Sequence, residues 1–177
     1  MFHTSQCTTY KEERIGCCYS GIMTISKAAL RTQLHAARRS ISPRVRHMKD
    51  AAITEQLFTA YDWSMTCRLH LYDSTIDEVD THSIHSLLAA FYPHIVIDVG
   101  PVSAHTPIPT TLYDVIIVPM LGYDVSGNRL GLGAGWYDRF LATQPAARHI
   151  GLAYNECQVA YLPVEAHDQP LDFIIAA

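Results

Sequence analysis

Hydrophobic and polar positions along this chain form blocks of two kinds. Short runs rich in valine, isoleucine and leucine alternate with longer stretches in which apolar residues are three or four apart. Runs of the first kind are typical of strands buried on both faces, and the second period is typical of amphipathic helices. The pattern predicts strands over residues 67–72, 94–99, 114–119, 149–154 and 172–176, with helices over 81–91 and 136–143.

Two further helices are predicted ahead of the first strand. Thr24 or Ser26 can cap a helix that runs through about Arg39, and Pro43 is a suitable first residue for a second helix toward Tyr61. The apolar stripe of the first helix is predicted to comprise Ile25, Ala29, Leu30, Leu34 and Ala37.

Residues 1–22 show neither a hydrophobic period nor a capping residue before a helix. Two explanations stay open: the segment is a disordered tail, or the start is misassigned and Met23 is the initiator. We expect residues 23–177 to form a single α/β domain.

The alternation of strands and helices defines the expected fold class. It predicts a three-layer α/β/α sandwich with a mainly parallel, Rossmann-like sheet. In such sheets, ligands bind beyond the carboxyl ends of the strands. We therefore expect the functional site near the end of the strand at residues 114–119.

A glycine-rich segment follows that strand directly and carries the candidate chemistry. Glycines at 131, 133 and 135 allow a left-handed backbone and let several N–H groups approach one anion. Arg129 supplies a cation for phosphate oxygens, and Asp138 a carboxylate suited to Mg²⁺. The segment therefore predicts a phosphate site, although glycines in this position also serve simply as tight turns.

Composition narrows the class of partner. With 177 residues, 49% of them hydrophobic, the chain can bury one good core, and a net charge of −4 provides no basic surface for nucleic acid or anionic lipid. No apolar run approaches the roughly 20 residues that span a bilayer. Five cysteines, an odd number, without a secretory segment favour the reducing cytoplasm. We expect small-molecule partners, no nucleic acid or membrane, and a monomer or weak oligomer.

The segment from Pro119 to Asp138 resembles the signature of the 5-formyltetrahydrofolate cyclo-ligase family. It reads P-M-L-G-Y-D-V-S-G-N-R-L-G-L-G-A-G-W-Y-D, against approximately P-G-x-x-F-D-x-x-G-x-R-L-G-x-G-x-G-Y-Y-D in the family. Three shorter segments are also similar: K-A-A-L-R at 27–31, E-V-D-T at 78–81 and L-P-V-E-A-H-D-Q-P-L-D at 162–172.

The resemblance implies three groups of site residues. Those expected to bind ATP are Lys27, Arg31, Arg129, Leu130, Gly131, Leu132, Gly133, Ala134, Gly135, Trp136 and Tyr137. Those expected to bind the folate are Glu78 and Trp136, although Glu78 also fits an acidic cluster before a helix. The metal carboxylates are expected to be Asp138 and Asp168.

The resemblance also implies a reaction: MgATP drives conversion of 5-formyltetrahydrofolate to 5,10-methenyltetrahydrofolate, with release of ADP and phosphate. This chemistry depends on positioning and charge neutralisation, which agrees with a chain that shows no nucleophile–base pair. Residues 100–113 form a shorter connection than the family usually has. An alternative is therefore a non-catalytic or altered-substrate nucleotide-binding paralogue.

Overall fold

A five-stranded parallel sheet organises the protein, which is described by a computed structural model over residues 25–100 and 105–177. Its strands are β1 (Arg68–Tyr72), β2 (Val96–Gly100), β3 (Val115–Pro119), β6 (Arg148–Ala153) and β8 (Phe173–Ala176). Their order across the sheet is β2-β1-β3-β6-β8, and each neighbouring pair is parallel. The predicted α/β class with a mainly parallel sheet is confirmed.

Four helices begin close to the predicted residues: α1 (Lys27–Ser40), α2 (Pro43–Ala60), α3 (His82–Phe91) and α4 (Trp136–Ala142). Ser26 caps α1, since its side chain accepts a hydrogen bond from the Ala29 N–H at 3.2 Å. At α3 the capping group is the carboxylate of Asp80, which accepts from the His82 N–H at 3.0 Å. The choice between Thr24 and Ser26, left open by the sequence, falls to Ser26.

The helices cover both faces of the sheet. Apolar residues of α1, α2 and α3 pack on the face that carries Leu69 and Leu71 of β1. On the opposite face, α4 packs Phe140 and Leu141 against Ile116 of β3. The three layers of the predicted sandwich are therefore present, with unequal helical layers.

A second, three-stranded sheet was not predicted. Its strands are β4 (Gly122–Asp124), β5 (Arg129–Leu130) and β7 (Gln158–Val159), in the order β5-β4-β7. Strands of two or three residues are too short to show a period of two. This sheet has a functional consequence, because the β4–β5 hairpin carries the chain from β3 into the glycine-rich loop.

Two predictions about burial were wrong. Val96 and Val99 of β2 are 49% and 48% exposed, because β2 is an edge strand and lacks a neighbour on one side. Ile25 lies before α1 and is exposed, and Ala29 within α1 is exposed as well. The buried stripe instead comprises Leu30, Leu34 and Arg38.

The predicted division of the chain at residue 22 lies outside the described residues, as does the choice between Met1 and Met23. No helix within residues 25–100 and 105–177 has the length and apolar character needed to cross a membrane.

Candidate functional site

A cavity lies where the strand order of the main sheet reverses. Numbered by their order in the chain, the five strands of this sheet lie in the order 2-1-3-4-5. The connections that follow the neighbouring strands β1 and β3 therefore run toward opposite edges of the sheet. Ligands of doubly wound sheets bind at this switch point, beyond the carboxyl ends of the strands. The cavity has a volume of about 580 Å³, and Tyr72 at the end of β1 and Pro119 at the end of β3 both line it.

Every residue that the sequence singled out for the site lines this one cavity. They come from α1, the loop after β1, the glycine-rich loop with the start of α4, and the segment before β8. They are Lys27, Arg31, Glu78, all residues from Arg129 to Asp138, and Asp168. The structure thus brings together side chains that are up to 141 positions apart in the chain, as in the bond between Lys27 and Asp168.

The glycine-rich loop adopts a backbone that requires glycine at two positions. Gly133 has φ of 109° and Gly135 has φ of 62°, both in the region that residues with a side chain rarely adopt. A Cβ atom at Gly133 would also lie 3.2 Å from Cζ of Arg31. The missing side chain therefore lets the loop lie directly against the guanidinium of Arg31.

Arg31 is held in place by the same loop. Its Nε donates to the carbonyl of Gly131 at 3.0 Å, which leaves its Nη groups beside the loop backbone. Lys27 is one turn earlier on α1 and borders the same cavity. The two cations of the K-x-x-L-R segment therefore face one ligand space, as expected from their spacing.

Arg129 supplies a buried positive charge behind the loop. Its Nη2 donates to Oδ1 of Asp138 at 2.5 Å, and only 4% of its side chain is exposed. Burial lowers the pKa of Arg129 from its usual value, while Asp138 opposes that shift. Its Nε is buried and has no hydrogen-bond partner within residues 25–100 and 105–177. An unpaired buried donor at a cavity wall is a group that an anionic ligand can satisfy.

Lys27 connects α1 to the segment before β8. Its Nζ lies 2.7 Å from Asp168 and 3.1 Å from Glu165. Burial opposes the charge, but hydrogen bonds to these two carboxylates raise the pKa of Lys27 above its ordinary value. For Asp168, burial is likewise outweighed by hydrogen bonds from Lys27 and from the Glu165 N–H, so its pKa is lowered.

Glu78 orders its own loop and also borders the cavity. Its Oε2 accepts from both the N–H and the hydroxyl of Thr75 at 2.9 Å, so it orders the loop after β1. The same side chain lines the cavity. Its carboxylate is therefore held at the cavity by its own loop, and its expected role in folate binding stays a prediction.

Trp136 lies mostly in the core. Only 3% of it is exposed, its Nε1 donates to the Thr106 carbonyl at 2.6 Å, and its ring lies 4.8 Å from that of Phe140, centroid to centroid. It contributes to the cavity wall as part of an aromatic layer rather than as a free stacking surface. The folate-binding role expected for Trp136 stays a prediction.

The cations and backbone N–H groups that line the cavity are suited to binding a nucleoside triphosphate. Lys27, Arg31 and Arg129 would contact phosphate oxygens together with loop N–H groups, and the cavity volume is within the range of small-molecule sites. Within residues 25–100 and 105–177, no group of three or more metal-ligating side chains comes together. Two carboxylates, Asp138 and Asp168, line the cavity, and two would suit Mg²⁺ because this ion takes few protein ligands and completes its shell with water and phosphate.

Sequence reasoning missed part of the cavity wall. Tyr72, Asp73, Ser74 and Thr75 line it from the end of β1, and Glu165 and His167 line it from the segment before β8. A usable signal did exist for the first group, since residues that follow a parallel strand meet at the carboxyl edge of the sheet.

Fold and site together define an α/β protein whose ligand cavity lies at the switch point of a parallel sheet and is lined by cations. Residues 101–177 match the sequence profile of the 5-formyltetrahydrofolate cyclo-ligase family. A 5-formyltetrahydrofolate cyclo-ligase from Haemophilus influenzae is 25% identical over 179 residues, covering 84% of this chain and 96% of that protein. A protein of the same name from Escherichia coli K12 is 39% identical over 74 residues, which are 38% of each chain.

Solved structures agree on the fold. A 5,10-methenyltetrahydrofolate synthetase from Mycoplasma pneumoniae has a TM-score of 0.72 at 24% identity, covering 85% of this chain and 98% of that one. The synthetase from Aquifex aeolicus has a TM-score of 0.70 at 22% identity, with coverages of 86% and 90%. Residues 101–177 thus carry the sequence profile of the 5-formyltetrahydrofolate cyclo-ligase family, and most of the chain is similar to a cyclo-ligase in sequence and to synthetases in fold, as the glycine-rich segment indicated.

Proposed function

We propose that this protein converts 5-formyltetrahydrofolate to 5,10-methenyltetrahydrofolate with consumption of MgATP and release of ADP and phosphate. One observation carries the proposal: three cations, a glycine-rich loop and two carboxylates from distant segments line a single cavity. Sequence similarity to proteins named 5-formyltetrahydrofolate cyclo-ligase supports the same proposal.

The residues would act by positioning and charge compensation. Phosphorylation of the formyl oxygen turns it into a good leaving group, N10 then closes the ring, and phosphate departs. Lys27, Arg31 and Arg129 would neutralise the triphosphate and hold it in line with the formyl oxygen. Asp138 and Asp168 would hold Mg²⁺, which supplies further charge for the phosphates.

Binding would require two ion pairs to rearrange. Lys27 now pairs with Asp168, and Arg129 pairs with Asp138. In the complex, Lys27 and Arg129 would pair with phosphate oxygens, and Asp168 and Asp138 would hold the metal, whose positive charge would replace that of the two cations. The exchange keeps every buried charge compensated, which is the condition for placing charges in a partly buried site.

The decisive assay mixes the purified protein with MgATP and 5-formyltetrahydrofolate. Methenyltetrahydrofolate is followed by its near-ultraviolet absorbance, and ADP is measured in the same tube. Equal amounts of the two products are expected. Binding of ATP with neither product would instead favour the altered-substrate or non-catalytic paralogue, for which the short connection at residues 100–113 is the motivating feature.

A matched pair of variants on one helix tests the cavity itself. Arg31 lines the cavity, whereas Arg39 is 72% exposed and pairs loosely with Asp77 at 3.7 Å. We expect Arg31→Met to raise the KM for ATP at least tenfold, which corresponds to about 1.4 kcal/mol. Arg39→Met removes the same charge and should leave the KM unchanged; equal effects of the two variants would refute the phosphate assignment.

A further inference from the structure

His70 is a polar residue inside an aromatic cluster on the α4 side of the sheet. It belongs to β1, an interior strand of the main sheet, and is 5% exposed. The ring centroids of Phe140, Tyr113 and Tyr137 lie 5.1, 5.6 and 6.1 Å from that of the imidazole. An imidazole in such surroundings loses its hydration and requires a compensating hydrogen bond.

That hydrogen bond connects His70 to the cavity. Nε2 of His70 lies 3.3 Å from the hydroxyl oxygen of Tyr137, and Tyr137 forms part of the cavity wall. Burial lowers the pKa of His70 to about 4, so the ring is neutral at neutral pH. A neutral imidazole has one donor and one acceptor nitrogen, and Nε2 therefore sets whether the hydroxyl donates or accepts on its free side.

Tyr137 shares the cavity wall with two groups of opposite charge, Glu78 and Arg129. Burial and then the charge of Glu78 raise the pKa of Tyr137, and Arg129 opposes the shift. The phenol therefore stays protonated. The proposed function assigns Glu78 to the folate and Arg129 to the phosphates, and Tyr137 lines the same cavity as both.

We infer that His70 is a positioning residue: its Nε2 holds the Tyr137 hydroxyl at the cavity wall, so that the other hydrogen bond of this hydroxyl is directed at the ligand where the nucleotide meets the folate. The inference rests on the proposed function, because it assigns His70 to the same cavity. Misplacement of a group at that boundary affects the reacting geometry more than it affects binding of either substrate. Loss of His70 should thus lower kcat and change KM little.

Three substitutions at His70 separate positioning from packing. His70→Leu fills space without a hydrogen bond. His70→Gln places a polar amide where Nε2 now lies, whereas the shorter His70→Asn places it near Nδ1 and does not reach Tyr137. We expect about a tenfold lower kcat for Leu and Asn, and recovery of most of that loss for Gln.

Tyr137→Phe supplies the second half of a double-mutant cycle. It should lower kcat as much as His70→Leu does, and the double variant should be no slower than either single one, because both remove the same hydrogen bond. Tyr113→Phe is the control: it removes a hydroxyl from the same cluster, but Tyr113 faces Asp98 and does not line the cavity. Additive losses, or an unchanged kcat in His70→Leu, would overturn the inference.

The role of His70 can also be tested without turnover of the folate. If the wild-type protein does not turn over 5-formyltetrahydrofolate, the ¹⁵N NMR shifts of the His70 ring, measured with and without MgATP, decide its role. A response of Nε2 to MgATP that is lost in Tyr137→Phe supports the positioning role. The same response in both proteins, or none in either, overturns it.

Discussion

Gly133 shows how much of the site depends on a single missing side chain. Its φ of 109° is unfavourable for any residue with a Cβ, and the place of that Cβ is 3.2 Å from the guanidinium carbon of Arg31. At Gly131 the situation differs, because a Cβ there would meet its nearest neighbour, Nη1 of Arg129, at 3.4 Å. The two glycines therefore make a matched pair.

Gly133→Ala is expected to lower the free energy of unfolding by about 1–3 kcal/mol through backbone strain, and to weaken ATP binding by displacing Arg31. Gly131→Ala should cost less on both counts. Urea unfolding and titration calorimetry with MgATP measure the two effects. Equal stabilities for the two variants would show that the loop relaxes freely.

His70 makes the stability depend on pH. Its pKa is lowered from 6.5 to about 4 by burial, with Asp98 on β2 opposing the shift, while Tyr137 on α4 and Tyr113 also face it. The unfolded chain therefore binds a proton between pH 6.5 and 4 that the folded chain does not, and stability falls as pH decreases through this window. The shift corresponds to about 3 kcal/mol.

His70→Gln should remove that part of the pH dependence. We expect the free energy of unfolding of the variant, measured in urea from about pH 7 to about pH 4, to decline less steeply than that of the wild type. Carboxylates such as Asp98 titrate in both proteins, so the difference between the two curves isolates His70. Parallel curves would contradict burial of a neutral imidazole at this position.

At the scale of elements, Lys27 joins α1 to the segment that precedes β8. It bonds Asp168 and Glu165, and its side chain is 17% exposed. The segment from Leu162 to Pro170 otherwise has no regular secondary structure. Its position at the cavity therefore depends on side-chain contacts such as these.

Lys27→Met should loosen this segment while leaving the sheet intact. Hydrogen exchange of the amides of residues 163–169 is expected to become faster, with the strands unchanged. Lys49→Met is the control, since Lys49 makes a 3.1 Å pair with Glu156 and is also largely buried, with 19% exposure, but lies away from the cavity. If both variants change exchange equally in this segment, the connection to α1 is not what holds it.

At the scale of the whole molecule, the cavity is built from segments far apart in the chain. α1, the loop after β1, the glycine-rich loop and the segment before β8 all contribute to its wall. A ligand that contacts all four is bound by the folded state and not by the unfolded chain. Ligand binding should therefore stabilise the entire fold by mass action.

MgATP is expected to raise the Tm, with a stabilisation of about 2.7 kcal/mol at a concentration of about 100 times its Kd. A thermal scan with and without MgATP measures the shift. Arg31→Met should lose most of it, and Arg39→Met should keep it. A shift that persists in Arg31→Met would place the nucleotide elsewhere.

Most of the fold could be predicted because its signals are local. Apolar runs marked the five long strands, and Ser26 and Pro43 marked helix starts within a residue or two. The short strands β4, β5 and β7 were missed because two or three residues carry no period. The exposure of Val96 and Val99 was not predicted, because the strand order of the sheet decides which strand lies at its edge. No local sequence pattern encodes that order.

The sequence by itself determined the class of fold, the resemblance to the cyclo-ligases and most of the residues that line the cavity, since each depends on a local pattern or a contiguous motif. Only the tertiary structure decided how those residues are paired. Lys27 with Asp168 and Arg129 with Asp138 are set by the packing of separate elements at the switch point. The role proposed for His70 could be recognised only in the folded protein. It depends on the contact between His70 and Tyr137, which are far apart in the sequence.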